Sequence, residues 1–184
     1  MGTTVKVRPA RLDDAEAIME IYNAEVTTST VTFDIVPRTL EEQRRYLTDR
    51  SGAHAVVVAT AGDEVVGYGA LSPWRSKPAY ATSVEDSVYV RRDHQGRGVG
   101  RALLAELTRV ATAHGFHAMF ARIVDGHAAS IRLHEAFGFE VVGVEREVGR
   151  KFGRWLDVVV MERLLGTGPP PEAQPPASTS SRGT

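Results

Sequence analysis

The sequence predicts an α/β domain, one mixed central β-sheet with helices on both faces. Three observations predict it. Strand-like and helix-like hydrophobic patterns alternate in the order β-α-α-β-β-β-α-β-α-β-β. A continuous apolar strand, Ala55 to Ala61, meets its hairpin partner, Glu64 to Leu71, across a Gly62-Asp63 turn. Finally, the stretch Glu85 to Arg101 passes from a β-branched strand through a loop with glycines at 96, 98 and 100 into a Leu-rich helix.

In chain order, Val5 to Arg8 reads as a short strand stopped by Pro9. Asp13 and Asp14 place negative charge at the start of a helix, whose buried stripe is Ala15, Ile18, Ile21, Tyr22 and Val26. A Thr/Ser-rich stretch ends it. The linker Ser29 to Pro37 carries Phe33, which either lines a site or plugs the underside of the loop. Thr39 with Glu42 is a capping box that opens a second helix to about Asp49. After the first hairpin, Ser72 to Pro78 reads as a surface loop holding Trp74, Arg75 and Lys77. Tyr80 to Arg91 is the long central strand. Gly98 to His114 is a helix with Leu103, Leu104, Leu107, Val110 and Ala111 on its apolar face, ended by Gly115. Phe116 to Val124 is a strand, Asp125-Gly126-His127 a turn, and Ala128 to Phe137 a helix capped by Gly138. Phe139 to Val148 and Trp155 to Leu164 are the last strands, joined by a basic glycine loop from Gly149 to Arg154. Residues 1–165 form the domain. Residues 166–184, rich in Pro, Ser and Gly, are expected to be a disordered tail.

Composition bounds the partners. The 184 residues hold 22 Lys and Arg against 23 Asp and Glu, so bulk charge drives binding to neither nucleic acid nor membrane. There is no cysteine, hence no thiol nucleophile and no zinc–thiolate site. No apolar run is long enough to span a bilayer, and the cytoplasm is the expected compartment. The six histidines show no i, i+4 pair with metal-ligand spacing, so no metal site is expected.

The chemistry concentrates in two places. Glycines at 96, 98 and 100 let the backbone approach a ligand closely, and the helix that follows presents its positive end. With Arg97 and Arg101 this forms an anion cradle suited to a pyrophosphate. It is not a P-loop, since no Gly-Lys-Ser/Thr follows, and it comes too late in the chain for a dinucleotide fold. Glu85 is a carboxylate on a β-branched strand, where partial burial would make it a general base. Asp86 points to the opposite face, so alternation allows only one of the two to face a site and does not say which. His134 sits on the short late helix as an acid or a hydrogen-bond donor. His127 either caps that helix or touches a ligand.

Several blocks resemble the GNAT acyltransferases. Gln95-x-x-Gly98-x-Gly100 before a Leu-rich helix is similar to their acetyl-CoA pyrophosphate loop. Arg8-Pro9-Ala10 with Asp14-Ala15 resembles their first strand–helix corner, and Ala129-Ser130-Ile131 with Leu133-His134-Glu135 and Gly138-Phe139 their late helix. Ile21-Tyr22-Asn23, Ser29-Thr30 with Phe33, Pro73-Trp74-Arg75, Glu85-x-Ser87-Val88-Tyr89-Val90 and Lys151 to Asp157 resemble the phosphinothricin and methionine sulfoximine N-acetyltransferases in particular. The resemblance implies a GNAT sheet splayed in a V, with acetyl-CoA as cosubstrate. It implies contacts to that cosubstrate from Val88, Tyr89, Val90, Gln95, Gly96, Arg97, Gly98, Val99, Gly100, Arg101, His127 and Ser130. It selects Glu85 as the base, with His134 as second catalytic candidate. Phe33, Trp74, Arg75 and Lys151 are implied on the acceptor side. The implied activity is N-acetylation of a small amino acid-like amine by direct transfer, in a homodimer. The alternatives are acetylation of a protein N-terminus or other amine, and a CoA-binding sensor without turnover. His127 departs from the Asn usual in the superfamily, and His134 from the Tyr that many members carry.

Overall fold

The structure, a computed structural model, describes residues 5–50, 52–124 and 126–166. The expected tail beyond residue 166, and Asp125 of the expected turn, lie outside the described residues. The elements are β1 (Val5–Pro9), α1 (Ala15–Thr28), α2 (Leu40–Thr48), β2 (Val56–Ala61), β3 (Glu64–Pro73), β4 (Ser83–Val90), α3 (Val99–Ala113), β5 (Ala118–Val124), α4 (Ala128–Glu135), β6 (Glu140–Lys151) and β7 (Arg154–Leu164). Their order is the expected one. They build a seven-stranded sheet in the order β1-β2-β3-β4-β5-β7-β6. Several of the expected boundaries move. Pro78 opens a short 3-10 turn through Tyr80, so β4 begins only at Ser83. The 3-10 turn is compatible with proline at its first position, where no N–H is needed. The expected 149–154 loop is mostly strand. β6 runs on to Lys151 and turns through Phe152 and Gly153, both at positive φ, as a two-residue hairpin requires. At the other corner, Asp14 is not a free helix-start charge. Arg8 donates to both of its oxygens at 2.7 and 2.8 Å, and Arg11 N–H donates to Oδ2 at 2.7 Å. Burial would raise the Asp14 carboxyl, but these partners hold it below the usual carboxylate range.

Apolar layers cover both faces. On one, α3 presents Leu103, Leu104 and Leu107 to Val57, Leu71 and Val84. It can lie that close because β3 carries glycine beneath it. A Cβ on Gly67 would stand 2.9 Å from the Tyr89 carbonyl oxygen and 3.0 Å from Val99, and one on Gly69 2.8 Å from Leu107. On the other face, Ile18, Ile21, Tyr22 and Val26 of α1 cover Val56, Val58 and Tyr68.

The sheet forks at its centre. β4 and β5 are parallel and pair only through Ser83↔Ala118, Val84↔Met119 and Glu85↔Phe120. Beyond that point β4 stays with β3 and β5 stays with β7, each to its end. This is the splayed V that the resemblance implies, with Glu85 and Phe120 at its apex.

Candidate active site

A cavity of about 500 Å³ fills the fork. Val88, Tyr89 and Val90 form one wall, and β5 forms the other from Ala121 to Val124. Gln95, Gly96, Gly98, Val99, Gly100 and Arg101 close one end, and His127, Ser130 and His134 bring α4 to it. These expected residues are therefore together. Arg97 is exposed on the same loop but does not line the cavity.

The loop is built as an anion cradle. Gly96 (φ 72°) and Gly98 (φ 81°) take left-handed conformations that cost most side chains about 1 kcal/mol or more, and Gly98 is the N-cap of α3. The amides of that first turn have no intrahelical acceptor and point along the positive end of the helix dipole. Gly100 has a different task. A Cβ there would come within 3.3 Å of Leu133, so its absence lets α3 and α4 touch.

Glu85 lies on the α1 face of the sheet, at the apex rather than on the cavity lining. Beside it, Trp74 stacks on Phe120 with ring centroids 4.1 Å apart and planes at 7°. Burial pushes the Glu85 carboxyl up to about 7; nearby Arg122 pulls it down, while Asp86 and Glu145 push it further up. Arg122 is two residues on from Phe120 on the same face, lines the cavity, and donates through Nε and Nη2 to Glu145. Sequence reasoning passed over Arg122. Its signal was a lone cation inside the apolar strand AMFARIV, the same kind of signal that singled out Glu85.

Of the two carboxylates that alternation sets on opposite faces, Asp86 is the one on the cavity lining, while Glu85, which the resemblance selects, stands at the apex on the other face. Asp86 lines the cavity from the α4 side, and its Oδ2 stands 3.1 Å from His134 Nε2. His134 Nδ1 donates to the Ser130 carbonyl at 2.8 Å. Both ring nitrogens of His134 are thus engaged, and its ring meets Phe139 edge-on at 5.0 Å. Burial lowers the imidazole's affinity for a proton, but Asp86 and the Ser130 carbonyl outweigh it and raise it.

The acceptor-side residues divide. Arg75 is exposed and lies over the rings of Trp74 and Tyr80, at 5.1 and 5.9 Å, rather than in the cavity. Phe33 packs on Gly149, where a Cβ would be 2.3 Å from its ring. Lys151 is buried and donates to the Thr32 carbonyl at 2.8 Å. Phe33 and Lys151 therefore hold the segment 29–38 down on β6. Tyr22 donates to Asp34 at 2.5 Å, and Asn23 bonds both backbone groups of Arg38 at 2.8 Å. His127 does not cap α4 with its side chain; its Nε2 meets Thr30 Oγ1 at 3.2 Å and so ties the same segment to the cavity mouth. Among the described residues no three His, Asp or Glu side chains form a metal-sized cluster, and no helix is long and apolar enough to cross a membrane.

Comparison with known proteins agrees with this geometry. The family model for the acetyltransferase (GNAT) domain matches residues 7–160. A phosphinothricin N-acetyltransferase of Streptomyces coelicolor is 45% identical over 165 residues, which cover 88% of this chain and 96% of that protein. An L-methionine sulfoximine/L-methionine sulfone acetyltransferase of Pseudomonas aeruginosa is 39% identical over 164 residues, 88% of this chain and 95% of that one. The solved structure of yncA from Salmonella typhimurium with its cofactor acetyl-CoA superposes with a TM-score of 0.89 at 37% identity, covering 92% of this chain and 99% of that one.

Proposed function

Because the chain belongs to the GNAT acetyltransferase family, we propose that it moves an acetyl group from acetyl-CoA to the amino group of a small amino acid-like substrate of the phosphinothricin, methionine sulfoximine or methionine sulfone type. The single observation that carries the reading is the position of Glu85. Its carboxyl, raised to about 7, stands at the apex of a fork whose open end is a glycine cradle.

The residues fit acetyl-CoA. The amides after Gly98, with Arg101 beside them, suit a pyrophosphate. The cavity edge of β4 from Asp86 to Val90 has no strand paired to it among the described residues, so its backbone groups suit an extended amide-bearing arm. When bound, acetyl-CoA supplies an activated acyl carbon. The protein does the rest. Glu85, directly or through one water, takes a proton from the substrate ammonium and leaves an amine able to attack. Backbone N–H groups near Val88 to Val90 stabilise the oxyanion that forms on the thioester carbonyl. Trp74 and Phe120 form the flat wall beside Glu85, and Arg122 supplies a cation on the same face. An acidic acceptor would complement that cation. No cysteine is present for an acyl-enzyme.

The homodimer belongs to the same proposal. Register places Val141 opposite Met161 and Val144 opposite Val159, on the α4 face of the sheet. Val141, Val144 and Trp155 are nevertheless 53%, 51% and 62% exposed, and β6 is an edge strand. A second copy of the chain is the partner assigned to this strip.

The test is CoA thiol release with phosphinothricin, methionine sulfoximine, methionine sulfone and unmodified amino acids. Acetylation of the acidic analogues is expected, and Glu85→Gln should lower kcat by roughly 10²- to 10⁴-fold with little change in the KM for acetyl-CoA. Turnover of none of the panel would sink the substrate class; a wild-type rate in Glu85→Gln would sink the base.

A further inference from the structure

Arg122 enters the site with its charge already met. In the strand ladders Arg122 of β5 lies opposite Val160 of β7, and Glu145 of β6 lies opposite Val158 of β7. Val158 and Val160 belong to one buried cluster with Val124 and Leu156, against which Trp74 and Phe120 pack. Arg122 and Glu145 therefore stand on the α1 face, on either side of β7. Neighbouring strands are about 4.8 Å apart, so two long side chains can meet over the strand between them. They do: Arg122 donates through Nε at 3.1 Å, and through Nη2, to the same oxygen, Oε2 of Glu145. The ion pair thus lies over an apolar floor that begins at the Trp74–Phe120 stack beside Glu85.

A break in β6 sits directly after Glu145. Pairing passes from Glu145↔Val158 to Gly149↔Leu156, so residues 146–148 stand opposite Asp157 alone. Glu147 takes φ 50°, and its N–H is held by Asp157 Oδ1 at 2.7 Å. Such a bulge bends its strand and re-aims the side chains next to it. The paired side chains are 34% and 32% exposed, and an ion pair so placed adds little to stability. It does act on the site. Arg122 lines the cavity, and both charges reach Glu85, whose carboxyl Arg122 lowers and Glu145 raises. Of the other cations implied on the acceptor side, Arg75 is exposed over Trp74 and Lys151 is bonded to the Thr32 carbonyl; neither lines the cavity.

We infer that Glu145 is a specificity-determining residue. By cancelling the charge of Arg122 it makes the site favour an amino acid with one acid group and an uncharged polar end over one that carries a second negative charge. The inference rests on the reading above for where the acceptor lies, and it narrows the acceptor class. With Arg122 and Glu145 neutral as a pair, ionised Glu85 is the net charge left to face the acceptor's ammonium. The Nη1 edge of Arg122, without a partner among the described residues, still suits one acid group. A second acid group would meet a face whose cation is already matched, with Glu145 and Glu85 as like charges. Such repulsion discriminates between ligands that fit equally well.

Methionine sulfone and phosphinothricin separate charge from shape. They share one skeleton and end in a tetrahedral centre bearing a methyl group and two oxygens. The sulfone is neutral and the phosphinate carries one negative charge. Glu145→Gln keeps an oxygen for Arg122 and removes the charge. It should raise the ratio of kcat/KM for phosphinothricin to that for methionine sulfone by about threefold or more. Arg122→Gln leaves Glu145 unopposed and should lower the same ratio by about threefold or more. Both shifts should shrink at high salt. Loss of folded protein and any change at Glu85 act on both acceptors and cancel in the ratio. A mere brace between β5 and β6 would also change both equally. An unmoved ratio in Glu145→Gln, or a shift of the same sign in both variants, therefore overturns the inference. Titration calorimetry of the two acceptors into the complex with CoA reads the same preference without turnover. A protein that binds them with these shifts but transfers no acetyl group keeps the inference and loses the acetyltransferase reading. One that acetylates both with the ratio unmoved does the reverse, and binding and turnover of neither overturns both.

Discussion

Glu85 is exposed to opposing demands. The same burial that lifts its carboxyl from 4.5 to about 7 makes it a base near neutral pH and a burden on stability above that pH. Between those two values the folded chain holds a proton that the unfolded chain has released. Folding stability contributed by this site therefore falls as pH rises through that window. Glu85→Gln, which cannot ionise, should be more stable than wild type at about pH 8 by on the order of 3 kcal/mol, with the difference vanishing below about pH 4.5. Urea denaturation at both ends of the range measures it. In activity the sign is opposite: kcat/KM should rise with pH through about 7 as the base ionises. Arg122 tunes this limb. Its charge lowers the Glu85 carboxyl, so Arg122→Ala should shift the acidic limb of kcat/KM to higher pH and raise the KM for an acidic acceptor. A limb that stays in place would remove Arg122 from the account of the base.

At the scale of elements, the segment 29–38 connects α1 to the site and contains no regular structure. It is held by contacts from α1, from His127 and from the end of β6. Lys151 is the distant anchor. Burial lowers its ammonium's hold on its proton, partly offset by Asp34 and Glu25, and the Thr32 carbonyl takes one of its N–H bonds. Lys151→Met keeps the apolar stem and removes the donor. It should cost about 1 to 3 kcal/mol in thermal or urea unfolding, because the Thr32 carbonyl is left buried and unpaired. The KM for the acceptor should rise more than kcat falls, since the segment, not the chemistry, loses its hold. The resemblance implies that Lys151 touches substrate; a raised acceptor KM with no loss of stability would favour that assignment over the anchor. The expectation went astray because 149–154 reads as a basic loop, whereas pairing with β7 draws Gly149 to Lys151 into the sheet and turns the lysine inward.

Across the whole molecule, helices cover much of each face of the sheet, but the far end of the β6–β7 hairpin remains bare. If a second copy covers it, the wild-type chain should sediment as a dimer at micromolar concentration. Trp155→Glu should then sediment as a monomer, since burying an unpaired carboxylate opposes association. A monomeric wild type would end the dimer proposal. The remaining architecture follows from one break in pairing. Had β4 and β5 stayed together to their ends, residues of the two faces such as Asp86 and Arg122 would belong to two separated environments. Because they part after Glu85 and Phe120, a single cavity takes in both sides of the sheet.

Much of this was legible in the residues. The order of strands and helices follows from periodicities that are local in sequence, and so does the glycine cradle, whose backbone angles are a property of Gly96 and Gly98 themselves. Glu85 stood out because a carboxylate is out of place among β-branched neighbours. The Asp86–His134 couple spans 48 positions and the Lys151–Thr32 anchor 119. No local pattern encodes such contacts, for they exist only after strands from distant parts of the chain have paired. For the same reason strand alternation could separate Glu85 from Asp86 but not say which of them faces the cavity. It describes an unbroken sheet, and whether two strands stay paired depends on what each packs against. β4 is held to β3, with α3 lying across both, β5 is held to β7, and the room for a ligand comes from their divergence.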